Sequence, residues 1–406
     1  MRFEHFIGRR FLDADKNSFS RPLVRIATYS IALGVIVMVM SVCILRGFQK
    51  EIEQKVVGFG SHIVVKSYEV GQQFEEVPIS TLRPEVDRIK RLPQVNHINY
   101  FANKGGMVKT DSQIHGIIFK GVDRNFDSTF FSSALCEGRL FHFADSTASN
   151  EIIISETLSA KLNLKLGDKV RTYFWQGDTY RPRAFSVVGI YATDLSDFDE
   201  HYLIGDIAQV QRINGWDSSQ VAGYEILIND FEELDNVANS VLQELPYDLT
   251  LSTIVNDNPA LFSWLDLLNS NIVLILSIMA LVCVVSIISA LLIMIFEKTS
   301  MIGLLKSLGT NNKSIWNIFL YKSAVIIGKG ILIGDIVALT LCLLQQQFHI
   351  VKLDTESYSM EFVPIELSGW IFLAVSIGTC AVCLLAILIP LRQTAKISPT
   401  ALLKSE

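Results

Sequence analysis

Four long apolar blocks constrain this chain before any motif is considered. Ile26–Leu45 runs twenty residues without a charge, Leu267–Phe296 thirty and Leu367–Leu391 twenty-five, while Ser323–Leu344 is twenty-two residues broken only by Lys329 and Asp335. A hydrocarbon core about 30 Å thick is crossed by roughly 20 apolar residues of helix, so four transmembrane helices are expected. Composition agrees, since only 19% of the residues are charged against about 25% in an ordinary soluble protein. A secretory signal peptide is the competing reading of the first block. The polar, charged residues ahead of it, the length of the apolar run and the lack of a small-residue cleavage site at Leu45-Arg46-Gly47-Phe48 argue against that.

Lys and Arg near the ends of the blocks set the orientation. Residues 1–25, 297–322 and 391–406 together hold thirteen Lys and Arg against five Asp and Glu, a net +8, which leaves −14 for the rest of a chain whose total is −6. The basic segments are therefore expected in the cytoplasm. The order that follows is a cytoplasmic segment 1–25, a span 26–45, an outer domain with its stalks 46–266, a span 267–296, a cytoplasmic loop 297–322, a span 323–344, an outer loop 345–366, a span 367–391 and a cytoplasmic tail 392–406. Cys136 is the one cysteine of the outer segment, so no disulfide forms within it. Cys380-Ala-Val-Cys383 has redox-motif spacing, but within a span it reads as two small apolar packing residues.

The outer segment mixes strand and helix patterns. His62–Lys66 and Ile114–Lys120 read as strands, as do Val170–Phe174 and Phe185–Tyr191 around the polar turn Gln176-Gly177-Asp178. Pro84–Leu92 reads as a helix, Ser155 as the N-cap of another reaching Leu162, and Phe231–Leu245 as a third, stopped by Pro246 before a strand at Leu249–Thr253. The fold expected is an α-helical membrane protein with four transmembrane helices plus an α+β outer domain. Two of the spans run long. Asn258-Pro259 has the form of an N-cap and first helical residue, and no breaker follows before Phe296. Gly47–Gly58 extends the first span with Phe48, Ile52 and Val56 on one face. Either these are rods joining the outer domain to the membrane, or they are helices that merely run long.

No catalytic motif is present. The chain lacks G-x-x-x-x-G-K-[ST] and H-E-x-x-H, and its seven histidines are scattered. No cofactor or metal of its own is expected, and no nucleic acid. The cytoplasmic loop is more informative. Met301, Leu304, Leu305 and Leu308 form an apolar stripe at helical spacing, with Gly309 placed to end the helix. Such a helix lies in a membrane interface or fills a groove on a partner.

The loop from Glu297 through Met301, Ile302, Gly303, Leu304, Leu305 and Leu308 to Gly309 resembles the E-x4-[IM]-G-x-[LM]-[KR]-[AS]-[LI]-G pattern of the MacB/FtsX-like permeases of type VII ABC transporters. Ile389–Leu403, with Pro390 and Pro399 nine apart, resembles their C-terminal tail. Phe6-Ile7-Gly8-Arg9-Arg10-Phe11, Gly34, Gly47-Phe48-Gln49-Lys50-Glu51-Ile52 and His62-Ile63 are similar to the lipoprotein-releasing (LolC/LolE-type) members. So are Gly121-Val122-Asp123, Glu137-Gly138-Arg139 and Leu166-Gly167-Asp168 in the outer domain, and the likeness covers nearly the whole chain. It implies a non-catalytic permease subunit in the bacterial inner membrane, with a large periplasmic domain. Glu297–Gly309 would be the coupling helix that docks a cytosolic ABC ATPase dimer, which holds the ATP and Mg. A second permease copy or paralogue would complete the membrane unit, lipoproteins would be drawn from membrane lipid, and a periplasmic lipoprotein carrier would receive them. The carrier-binding hairpin of the family corresponds to Phe174–Ala184, with Trp175, Tyr180, Arg181 and Arg183.

The third block is not simply apolar. Gly330, Gly334 and Ala338 make a face suited to close helix contact. Lys329 is placed to snorkel, and Asp335 sits mid-block, where a charge costs about 2.5–3.5 kcal/mol. Six residues turn Asp335 about 120° from Lys329, which disfavours a direct pair. Ser286, Ser289 and Thr379 are the expected neighbours of the carboxyl by depth. Two other functions remain in view. One is a mechanical transmitter of the MacB/FtsX kind, acting on an efflux duct or a cell-wall hydrolase. The other is a membrane-anchored structural or sensing module.

Overall fold

The computed structural model describes residues 20–69, 76–110, 113–143, 148–176, 179–354, 358 and 360–396. The N-terminal Phe6–Phe11 motif, the Gly177-Asp178 turn and the tail beyond Lys396 lie outside the described residues. The chain divides into two units. One holds the described residues up to Lys50, then Trp264–Lys352 and Phe362 onward; the other holds Glu51–Ser263 and Leu353–Glu361.

The first unit is helical. Its helices belong to Ser20–Phe59, Pro259–Glu297, Asn312–Phe348 and Gly369–Lys396, of 40, 39, 37 and 28 residues. These four, among the described residues, are long and apolar enough to cross a membrane. They share one buried cluster built from Ile31, Val35 and Val39 of the first, Ile287 and Leu291 of the second, Ile327 and Ala338 of the third and Ile387 of the fourth. In lipid, helices gain little from burying apolar surface against one another, so close backbone approach matters more. The expected small-residue face supplies it. A Cβ added at Gly330 would lie 2.9 Å from Ile31 Cβ, and one at Gly334 would lie 2.8 Å from Val35 Cβ, both on the first helix. Gly47 is bound in the same way, since a Cβ there would stand 2.4 Å from the Pro364 carbonyl oxygen. Next to it Phe48 packs edge-on against Trp264, centroids 5.9 Å apart.

The second unit is α+β. Its strands are β1 (Ile63–Ser67), β2 (Ile79–Ser80), β3 (Val95–Lys109), β4 (Ile114–Val122), β5 (Leu135–Gly138), β6 (Glu151–Ser155), β7 (Lys169–Gln176), β8 (Thr179–Tyr191), β9 (Tyr202–Asp206), β10 (Gln220–Val221), β11 (Gly223–Ile228) and β12 (Leu249–Thr253). All but β2 and β10, which pair with each other, join one sheet of order β12-β1-β11-β3-β4-β9-β6-β8-β5, with β7 bridging β3 and β8. The sheet is mixed, for β4–β9 and β6–β8 run parallel and the other pairs antiparallel. Ser155 caps the helix Glu156–Leu162 as expected, its hydroxyl accepting from Leu158 N. Asn258 stands at the N-cap position before Pro259 as expected, its carbonyl accepting from Phe262 N at 3.3 Å. Its side-chain amide donates to the Ile254 carbonyl at 3.1 Å and so closes the preceding turn.

The Glu137-Gly138-Arg139 turn carries an ion pair with a measurable consequence. Gly138 has φ +81°, open to glycine and strained for other residues. This brings the Arg139 guanidinium onto both oxygens of Glu151, at 2.8 and 2.6 Å, while His142 N donates to the same carboxylate at 2.9 Å. Arg139 thereby holds the Glu151 carboxyl at about 2, below its ordinary 4.5. A depressed carboxyl contributes stability above its unfolded value and loses it as pH falls toward the folded one. Melting temperature of the full-length protein in detergent should therefore fall between pH 4.5 and 2, and Arg139→Gln should flatten that part of the curve. An unchanged slope in the variant would assign the acid sensitivity elsewhere.

Candidate functional site

The loop between the second and third apolar helices forms the helix Thr299–Ser307. Gly309, at φ +86°, ends it as expected, with Gly309 N and Thr310 N bonded back to the Lys306 and Leu305 carbonyls. Asn311 then caps the third apolar helix, its side chain accepting from Lys313 N. The residues of the expected stripe divide between two environments. Ile302 is fully buried in the apolar cluster and Gly303 is buried beside it. Met301 and Leu305 are half-buried, whereas Leu304 is 54% and Leu308 75% exposed. Ser300, Leu304, Ser307 and Leu308 thus present one exposed helix face, and Ile302 pins the opposite face to the helical unit. Glu297 lies at the end of the second apolar helix, its carboxylate 3.8 Å from Lys298 Nζ. The arrangement is a short rigid helix offering two leucines outward.

The outer hairpin is made of β7 and β8, paired from Lys169↔Ser186 to Gln176↔Thr179. Trp175 and Tyr180 face each other across it and meet edge to face at 4.8 Å. Side chains alternate between the faces of a strand, and the register puts Arg181 opposite Phe174 and Arg183 opposite Thr172. The four residues of the expected carrier site therefore fall on two faces, the aromatic pair on one and the arginines on the other. Tyr180 and Arg181 are exposed.

Asp335 is joined to the fourth apolar helix. Ser376 Oγ donates to its Oδ2 at 2.8 Å. Ser376, rather than Ser286, Ser289 or Thr379, is the partner, because one further turn along the fourth helix brings it level with the carboxyl. Lys329, six residues earlier on the same helix, is exposed. Interhelical hydrogen bonds in membranes contribute about 0.6 kcal/mol on average. Asp335→Asn, which keeps a hydrogen-bonding group, should insert and assemble normally, whereas Asp335→Leu should lower thermal stability in detergent by about 1 kcal/mol. An Asp335→Asn protein that assembles but is inactive would place the carboxyl in the transport path instead.

A fourth place was not foreseen. The first apolar helix ends at Phe59, whose ring lies in a cage of Phe130, Phe131, Tyr191, Phe198 and Tyr202, with centroids 4.8–6.1 Å away. The Phe59 carbonyl accepts from Lys120 Nζ, a cation at the negative end of the helix dipole. Lys120 also pairs with Glu225 Oε1 at 2.5 Å, both side chains only 4% exposed. Burial pushes the Glu225 carboxyl up while Lys120 draws it down. A lysine directly after the apolar run Ile117-Ile118-Phe119 was the one signal in the sequence. The second apolar helix contributes Phe262 to the same unit, stacked on Phe231 at 5.9 Å. No cluster of His, Cys, Asp and Glu among the described residues has the form of a metal site.

The profile of the MacB-like periplasmic core domain matches residues 26–243, and that of the FtsX-like permease C-terminal domain residues 273–399. The lipoprotein-releasing system transmembrane protein LolE of Haemophilus influenzae is 24% identical over 415 residues, 96% of each chain. The LolC protein of the same organism is 24% identical over 420 residues, 99% of this chain and 98% of the relative. The periplasmic region of MacB from Actinobacillus actinomycetemcomitans, a crystal structure, aligns at 11% identity and a TM-score of 0.34, over 50% of this chain and 94% of that one.

Proposed function

The chain belongs to the permeases that join a MacB-like periplasmic core domain to an FtsX-like C-terminal domain, of the LolC/LolE type, and from that membership we propose that it is the permease subunit of an ATP-driven lipoprotein-releasing transporter. It is a multi-pass inner-membrane protein with a periplasmic domain. In the proposed cycle a separate ABC ATPase dimer docks on the exposed face of Thr299–Ser307 and holds the nucleotide. The permease works as a pair, with a second copy or a paralogue. Lipoproteins bound for the outer membrane are drawn from the bilayer and passed to a periplasmic carrier.

One observation supports this reading above the others. The helix Ser20–Phe59 is continuous through residues of both units and ends in the Phe59 cage. In the proposed cycle the ATPase acts through this helix, and whether the work extracts lipid or only pulls on a partner is decided by experiment. Proteoliposomes containing the full-length permease, its ATPase and a radiolabelled lipoprotein should release the lipoprotein to soluble carrier on adding ATP. ATP hydrolysis with no release, together with capture of an efflux duct or a cell-wall hydrolase, would replace this function with mechanical transmission.

A further inference from the structure

A groove of about 430 Å³ opens on the helical unit between the first, second and fourth apolar helices. Met38, Val42 and Arg46 line one wall, four residues apart, and Ala374 and Gly378 line the other. Met38 to Arg46 spans about 12 Å of helix. Nothing lies within 4 Å of where a Gly378 Cβ would stand, so the fourth helix leaves space here. The walls are apolar except for Thr379 beside Gly378 and for the outer mouth. Arg46 is there, and so is Trp370, 72% exposed near the start of the fourth helix. An apolar trough with a guanidinium and an indole at one end is complementary to an amphiphile with an anionic head. Indoles settle at headgroup level, and guanidinium matches phosphate in a two-pronged bond.

We propose that this groove is a binding site for an anionic phospholipid of the outer leaflet, with one acyl chain along Val42, Ala374 and Gly378 and the phosphate on Arg46. The site needs neither nucleotide nor lipoprotein, so it stands or falls apart from the function proposed above. The assignment is to a phospholipid because a cation at the mouth adds nothing to the binding of a bare hydrocarbon surface.

The test uses the full-length protein in nanodiscs that contain a trace of phosphatidylglycerol bearing a photoreactive diazirine on its acyl chain. Crosslinked peptides should concentrate in 36–46 and 369–382, several-fold above the exposed face of the third helix at Leu332, Ile336 and Leu339. Arg46→Gln should cut this labelling about fivefold, the worth of one basic residue beside anionic lipid, and cut labelling by the matching phosphatidylcholine probe, whose headgroup carries no net charge, by less. Gly378→Trp should abolish labelling of the groove by both probes while the protein inserts normally. Even labelling of all lipid-facing helices, or an Arg46→Gln protein labelled like the parent, would overturn the proposal. So would benzophenone crosslinks from position 374 that run to a second copy of the chain, or groove labelling that appears only with lipoprotein present.

Discussion

Lys120→Met should lower the stability of the full-length protein by about 3–5 kcal/mol, the usual result of breaking a buried ion pair on one side. The reason is local. Lys120 and Glu225 sit on β4 and β11, both 4% exposed, and the second Glu225 oxygen has no hydrogen-bond partner among the described residues. Removing the ammonium leaves a carboxylate that must stay charged without compensation or take up a proton. It also removes the donor to the Phe59 carbonyl. For a domain of this size each kcal/mol moves the melting temperature about 2–4 °C, so the periplasmic transition should drop by about 6–20 °C. Lys120→Met with Glu225→Leu should recover most of the loss, because the pair is then replaced by apolar volume. A single variant that melts like the parent would show that the pair does not hold the helix end.

The second large effect is expected at the helix Thr299–Ser307. Leu304→Asp or Leu308→Asp should reduce co-purification of the ATPase at least tenfold, because a charge buried at that contact costs about 3 kcal/mol or more. Neither residue supports the fold, since both are exposed on the helix that Ile302 anchors. Membrane insertion and melting temperature should therefore stay at parental values. Leu305→Asp is the informative companion. Leu305 is half-buried, so part of its effect should appear as lost stability. Normal ATPase yield with Leu304→Asp and Leu308→Asp would exclude this helix as the docking element.

The sequence displayed some of this plainly. Apolar blocks and the Gly309 stop were legible because a bilayer and a helix end make demands that few residue types meet. The glycines quoted for resemblance have physical reasons in the structure. Gly121 lets Ile207 approach the sheet, a Cβ there falling 2.7 Å from the Ile207 Cα, while Gly138 and Gly167 take positive φ. Other features were hidden. β3 is fifteen residues long but reads Val-Asn-His-Ile-Asn-Tyr-Phe-Ala-Asn-Lys-Gly-Gly-Met-Val-Lys, without sustained alternation, because it pairs with three different strands along its length. The Phe59 cage gathers residues from 130, 191 and 202 that no local period connects. Trp175, Tyr180, Arg181 and Arg183 read as one patch in one dimension, and only the register divides them between two faces.

The last turns of the first helix, with Ile52 and Val56 buried and Phe59 held in its cage, make the residue count there a matter of phase. Each added residue lifts Phe59 by about 1.5 Å and turns it through about 100°. One insertion between Ile52 and Phe59 would aim the ring away from its five aromatic neighbours, and two or three would still miss them. Insertion of about seven residues, two turns that come back to within about 20°, would restore the angle, but at a different height. This helix end should therefore accept substitutions at its exposed positions far better than a change in the count of residues between Ile52 and Phe59, as a crankshaft keeps the angle between its throws.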